Sequence, residues 1–177
     1  RGDRPAACRC RCRAAAQRPA WHLSKNGSVV AGATGHVEEH PRRSTLEALA
    51  KLPAVFKPGG TVTAGNASGR NDGSAACVVM SAAEASRRGL KPMVTIRRQA
   101  VAGVSPDIMG LGPAPASRLA LQRAGLTFDD MGVIELNEAF AGQALSVIKE
   151  LGIGDRMADI NPNGGAIALG HPLGCSG

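Results

Sequence analysis

His171 is the residue whose neighbours best prepare it for proton transfer. It sits in NPNGGAIALGHPLGCSG, Asn161 to Gly177, where five glycines surround this single histidine. Glycine lets a backbone bend into conformations closed to other residues and approach a bound group closely. Pro172 pushes the residue before it out of the helical region, so His171 is predicted at a turn that sets its orientation. An imidazole held in this way can take up and release a proton near neutral pH.

Asn137, in IELNEAF, is the second candidate, at a predicted strand-to-helix junction. As an N-cap it would satisfy helix N–H groups, with Glu138 complementing the positive end of the helix dipole. Alternatively, its amide faces outward at the C-terminal edge of a sheet, where α/β proteins place their ligands. The residues alone leave both readings open. A third stretch, TAGNASGRNDG (Thr63–Gly73), carries three glycines after a predicted strand. It matches neither a P-loop nor GxGxxG, and a close-packed turn explains it equally well.

The elements that must hold these residues alternate short apolar runs with helical patterns, which points to α/β structure. Ser44 or Thr45 can cap a short helix through Leu46, Leu49, Ala50 and Leu52, with Pro53 ending it. Strands are predicted at Gly60–Thr63, Ala75–Met80, Met93–Ile96 and Val133–Leu136, the second buried by its continuous apolar character. Helices are predicted from Ser81 to Gly89, from Pro115 to Ala124 closed by Gly125, and over Glu138–Leu151. The last would turn Phe140, Ala144, Leu145, Ile148 and Leu151 toward the core. Neither a membrane span nor an internal repeat is visible.

Composition narrows the function classes. The chain has 177 residues, enough for one domain or parts of two, with one Trp, three Phe and no Tyr. That scarcity excludes a single-strand nucleic-acid surface built on aromatic stacking. The net charge of +7 is concentrated in residues 1–25, which hold seven basic side chains against Asp3. The remainder is nearly balanced, so a small basic nucleic-acid binder would rest on the tail alone. Cys8, Cys10 and Cys12 alternate with arginines there, without the paired CxxC spacing of a metal site. No metal is expected. The tail shares its Arg-rich, acid-poor composition with transit peptides, but it does not open on Met and reads better as the edge of a longer reading frame. Cys77 and Cys175 are single and far apart, consistent with a reduced, cytoplasmic location.

Four segments in order carry a family resemblance: EHPRRSTLEALAKLPAVFKPGGTVTAGNASGRNDG, MGLGPAPASRLALQRAGL, ELNEAFAGQAL and NPNGGAIALGHPLGCSG. Together they resemble the thiolases, the acetyl-CoA acetyltransferases and 3-ketoacyl-CoA thiolases, over Glu38–Gly177. The resemblance implies a Claisen condensation, or its reverse, through an acyl-cysteine intermediate. By the GHP motif, His171 corresponds to the histidine that activates the nucleophilic cysteine and polarises the thioester oxygen. By NEAF, Asn137 corresponds to the asparagine that positions a water in the oxyanion hole, a donor aimed beforehand at developing charge. Ser68, with Ala64 and Gly65, corresponds to pantetheine contacts. Phe56 and Phe140 fall where the family lines the CoA tunnel, and Arg42 lies near the adenine-nucleotide end.

The implied fold is the layered α/β thiolase sandwich, here incomplete. Residues 1–35 would be an irregular basic tail, 36–69 the end of a loop excursion covering CoA, 70–90 the last part of the N-terminal half, and 91–177 most of the C-terminal half. Acyl-CoA is the implied substrate, no cofactor is bound permanently, and a dimer or tetramer is implied for the full enzyme, with neither nucleic acid nor membrane as partner. The nucleophilic cysteine belongs before Glu38 and the second catalytic cysteine beyond Gly177, so neither has a counterpart here. Cys175, four residues from His171, invites assignment as the nucleophile. The family tolerates Ala or Met at that position, so Cys175 is expected to pack as a small apolar residue, and Cys77 to lie in the core. Arg70 stands where the family has an aliphatic side chain, and its charge could disturb local packing. The leading reading is therefore a portion of a thiolase, inactive alone. The alternative is a non-catalytic CoA-binding or assembly module derived from one, against which the retained Asn137 and His171 argue.

Overall fold

The computed structural model describes the backbone of Trp21–Leu23 and Val29–Ala31 together with residues 45–176. Two compact units divide the chain, Arg1–Arg43 and Ser44–Gly177. In the first, β1 (Trp21–Leu23) pairs antiparallel with β2 (Val29–Ala31), placing Trp21 opposite Ala31. This part of the expected irregular tail is therefore strand. Cys8, Cys10, Cys12 and Arg42 lie outside the described residues.

The second unit is built from helices whose ends follow their sequence punctuation. α1 (Leu46–Ala50) starts at Thr45, whose Oγ1 accepts from the Ala48 N–H at 3.2 Å. α2 (Ala82–Arg87) is capped the same way by Ser81, which accepts from Glu84 N–H at 3.2 Å. α3 (Pro113–Ala124) begins on a proline, whose missing N–H costs nothing at a first turn. Gly125, at φ 67°, ends it in the left-handed conformation, and Gly152, at φ 71°, ends α4 (Ala141–Leu151) likewise. Short 3₁₀ turns at Pro106–Leu111, Phe128–Asp130 and Gly154–Arg156 join these elements, and α5 (Ala166–Leu169) precedes His171.

α4 starts at Ala141, not at Glu138. The residue in its N-cap position is Phe140, and the Ala141 N–H donates to the carbonyl of Asn66 at 2.8 Å. A distant loop therefore closes this helix end, and Asn137 is not a cap. Its buried face consists of Ala144, Val147 and Ile148, while Leu145 faces solvent, so the face is rotated from the one expected. Ile148 packs with Ile153 and Ile160, and Phe128, Ile134, Leu136 and Leu151 surround that cluster. Arg118 on α3 reaches Glu150 on α4 at 2.9 Å. Arg156 draws the turn at Phe128–Asp130 inward by donating to the carbonyls of Phe128 and Met131, and it pairs with Asp159 at 3.0 Å.

The expected strands are reduced to isolated bridges. Thr63 pairs with Ala54, and Ile134 pairs in parallel with Ile160. Ala75–Met80 and Met93–Ile96 form no strand, and apart from half-buried Met80 their residues are exposed, Val78 at 84% and Met93 at 98%. A continuous apolar run becomes a buried strand only when neighbours pair its backbone and cover both faces. Among the described residues none does so for these two runs. Cys77, expected in the core, is exposed with them, whereas Cys175 is half-buried. Among the described residues no helix is long and apolar enough to cross a membrane.

Candidate active site

The segment Thr63–Gly73, whose role the residues alone left open, joins the other two motifs. It begins with a tight turn: Asn66 Oδ1 accepts from Thr63 N–H and Asn66 Nδ2 donates to the Thr61 carbonyl, each at 2.9 Å. The chain then runs extended along the start of α4. Ala67 bridges Phe140 in antiparallel fashion, and Ser68 N–H donates to the Ala139 carbonyl at 2.9 Å. A few residues on, the same segment turns to the histidine. Arg70 bridges His171, and the His171 N–H donates to the Gly69 carbonyl at 3.0 Å and to Asn71 Oδ1 at 3.2 Å. The Arg70 side chain is exposed, so its charge meets water and leaves the packing intact.

Missing Cβ atoms make this closeness possible. A Cβ on Gly170 would come within 2.4 Å of Asn71 Oδ1, and Gly170 has φ 96°, a region L side chains rarely adopt. A Cβ on Gly73 would come within 2.7 Å of Pro172. The backbone on both sides of His171 is thus pressed against residues 69–73, and the expected turn-fixed histidine is present with its fixing partners identified. Asn71 escaped the sequence reading, for which the N-D-G turn composition was the only available signal.

His171 and Asn137, 34 residues apart in sequence, meet at their polar ends. Asn137 Nδ2 lies 3.4 Å from His171 Nε2. With the amide donating, Nε2 offers its lone pair and the ring proton resides on Nδ1, which is buried without a partner among the described residues. In that state Nε2 is the atom able to accept a proton. The Asn137 side chain is exposed and borders an open cleft of about 300 Å³ that also touches Asn161, Gly164, Gly165 and Gly170. A proton acceptor beside an amide donor, with the donor bordering a cleft, suits a reaction that removes a proton while negative charge grows on a nearby oxygen.

The other expected site residues, Arg42 apart, lie in or near the same segment. Ser68 is half-buried, and Phe56 meets Phe140 edge-on with ring centroids 6.1 Å apart. Phe56 is 73% exposed, an apolar ring left facing solvent. Ala64 is exposed, whereas the backbone of Gly65 packs against Leu49 and Leu52, where a Cβ would lie 2.6 Å from Leu49. Glu138 does not serve the α4 dipole. Its carboxylate accepts from Asn161 Nδ2 at 3.0 Å and from Ile167 N–H at 3.3 Å. Neither Cys77 nor Cys175 hydrogen-bonds to His171; Cys175 closes a local turn through its N–H to the Pro172 carbonyl at 2.9 Å. Among the described residues no cluster could hold a metal ion.

Comparison with known proteins gives a consistent answer. The family models described as "Thiolase, N-terminal domain" and "Thiolase, C-terminal domain" match residues 21–83 and 90–177. An acetyl-CoA acetyltransferase of Syntrophomonas wolfei is 56% identical over 153 residues, 84% of this chain and 39% of the relative. Among solved structures, the Bacillus anthracis acetyl-CoA acetyltransferase aligns with a TM-score of 0.75 at 45% identity, covering 88% of this chain and 38% of that one. Human mitochondrial 3-ketoacyl-CoA thiolase in complex with CoA aligns with a TM-score of 0.72 at 42% identity, covering 87% and 38%. The chain spans less than two fifths of the length of these relatives. With both family models in sequence order and the two motifs meeting at one cleft, the chain belongs to the thiolase family.

Proposed function

We propose that this chain supplies the histidine and asparagine of a thiolase active site, within an enzyme that condenses acyl-CoA units or cleaves 3-ketoacyl-CoA. The single observation that carries the reading is the 3.4 Å approach of Asn137 Nδ2 to His171 Nε2. In the cleaving direction, His171 takes the proton of a cysteine thiol and the thiolate adds to C3 of the 3-ketoacyl-CoA. The C2–C3 bond then breaks, C2 takes a proton, and acetyl-CoA departs. The thiol of a second CoA displaces the acyl group from the cysteine. Asn137 acts on the oxygen that becomes negative. Ser68, Ala64 and Gly65 contact pantetheine, the Phe56–Phe140 pair flanks it, and Arg42 meets the nucleotide.

On this reading residues 36–69 end the loop that covers CoA, 70–90 complete the N-terminal half, and 91–177 form most of the C-terminal half. The exposed apolar runs at 75–80 and 93–96 then become strands of the layered sandwich once paired. The enzyme works as a dimer or tetramer in the cytoplasm and needs no permanently bound cofactor. The thiol is supplied from outside the described residues, since Cys77 and Cys175 leave His171 uncontacted. The test is a chimera in which this chain replaces the aligned portion of the S. wolfei acetyl-CoA acetyltransferase. CoA-dependent cleavage of acetoacetyl-CoA by a folded chimera is the expected result. A folded chimera without cleavage contradicts the proposal.

A further inference from the structure

Asn161 has φ 45°, the one described non-glycine residue with positive φ, a conformation that Asn tolerates better than most residues. Backbone in that region persists only where its surroundings hold it, and such residues gather at functional sites. Three of its polar contacts go to one segment, residues 134–136. Its N–H donates to the Ile134 carbonyl at 2.8 Å, its Oδ1 accepts from Leu136 N–H at 2.7 Å, and its Nδ2 donates to the Leu136 carbonyl at 2.7 Å. Ile134 and Ile160 form a parallel bridge, after which the backbone at Asn161 turns away. The side chain then continues the ladder in place of a strand, carrying the pairing up to the residue before Asn137.

A second link leaves the same side chain. Asn161 Nδ2 also donates to Glu138 Oε1 at 3.0 Å, and Glu138 Oε2 accepts from Ile167 N–H at 3.3 Å. Gly165 provides the space, because a Cβ there would fall 2.0 Å from the Glu138 carboxyl carbon. The residues on both sides of Asn137 are thereby tied to the stretch 161–167 that leads into His171. Neither Asn161 nor Glu138 bonds to the imidazole or to the Asn137 amide.

We infer that Asn161 and Glu138 are positioning residues that set the Asn137 amide against His171 Nε2. The inference rests on the Asn137–His171 pair being the working site, but not on its turnover. It predicts a loss of juxtaposition when the tie is cut. Asn161→Asp keeps the shape and the Oδ1 acceptor but sets a second carboxylate against Glu138. Glu138→Gln in that background restores a donor between the two side chains. Asn161→Gly keeps the left-handed backbone without strain and removes the side chain altogether.

The full 177-residue chain, isotope-labelled, allows the contact to be read as the nuclear Overhauser effect between the Asn137 side-chain amide and the His171 ring. The expected result is a clear contact in the parent, its loss in Asn161→Asp and Asn161→Gly, and its partial return in Asn161→Asp/Glu138→Gln, which relieves the carboxylate pair but leaves an oxygen facing the Leu136 carbonyl. The amide resonances of α3 should stay in place throughout, as a general structural role would not require. Persistence of the contact in either single variant, or its failure to return in the double variant, overturns the inference. Failure of the acyl-transfer proposal would show in the chimera assay and leave this readout unchanged.

Discussion

The Asn137 amide and the His171 ring work together only if the backbone that carries each is fixed independently of substrate. At the residue scale that fixing depends on side chains that are absent as much as on those present. Gly170→Ala would force a methyl against the Asn71 carboxamide and place an L residue at φ 96°. Strain of this kind costs about 1–3 kcal/mol. Urea denaturation should show a loss of that size, and a variant as stable as the parent contradicts the packing described around His171. His171 and Asn137 could be singled out from the sequence because their motifs are short and chemically specific. Asn71, Asn161 and the true partner of Glu138 were not, because their roles arise from contacts 23 to 100 positions apart in sequence.

At the scale of elements, local punctuation was a dependable guide and nonlocal pairing was not. Thr45, Ser81 and Gly125 mark helix ends where expected, since a cap needs only its own few neighbours. The start of α4 moved from Glu138 to Ala141 because Asn66, 75 positions away, accepts its first N–H. Another local cap offers a pH test. Asp130 accepts from the N–H and hydroxyl of Thr127 at 2.8 and 3.0 Å, and these bonds hold its pKa below the ordinary value. A depressed carboxylate pKa gives a contribution that is complete above the unfolded pKa, about 3.9, and is lost as pH falls through the lower folded value. The Thr127 amide shift should therefore titrate with a midpoint below that of an unstructured Asp. A midpoint at or above it contradicts the capping box.

For the whole molecule, the described core is small and centred on one end of α4. Ile148, with Ile153 and Ile160, joins α4 to the segment that carries Asn161. Ile148→Ala should cost about 2–5 kcal/mol in thermal or urea unfolding, the usual range for truncating a buried Ile. A cost under about 1 kcal/mol would show that the site is held by something else. The runs at 75–80 and 93–96 read as strands in sequence, the first as a buried one, because continuous apolar composition suits burial in a sheet. Val78, Val94 and Ile96 are exposed in the described structure, where no neighbouring strand covers them. The helices were legible in the sequence; the strands were not, because among the described residues only isolated bridges, such as that of Ile134 with Ile160, form where strands were expected.

The most direct measurement compares kcat and KM for acetoacetyl-CoA cleavage in the chimera with and without His171→Ala. Loss of a positioned acid–base group costs roughly 10²–10⁴-fold. The fall should appear in kcat with little change in KM, because His171 is assigned to chemistry and not to holding CoA. A His171→Ala chimera with undiminished kcat would contradict the assignment at its centre.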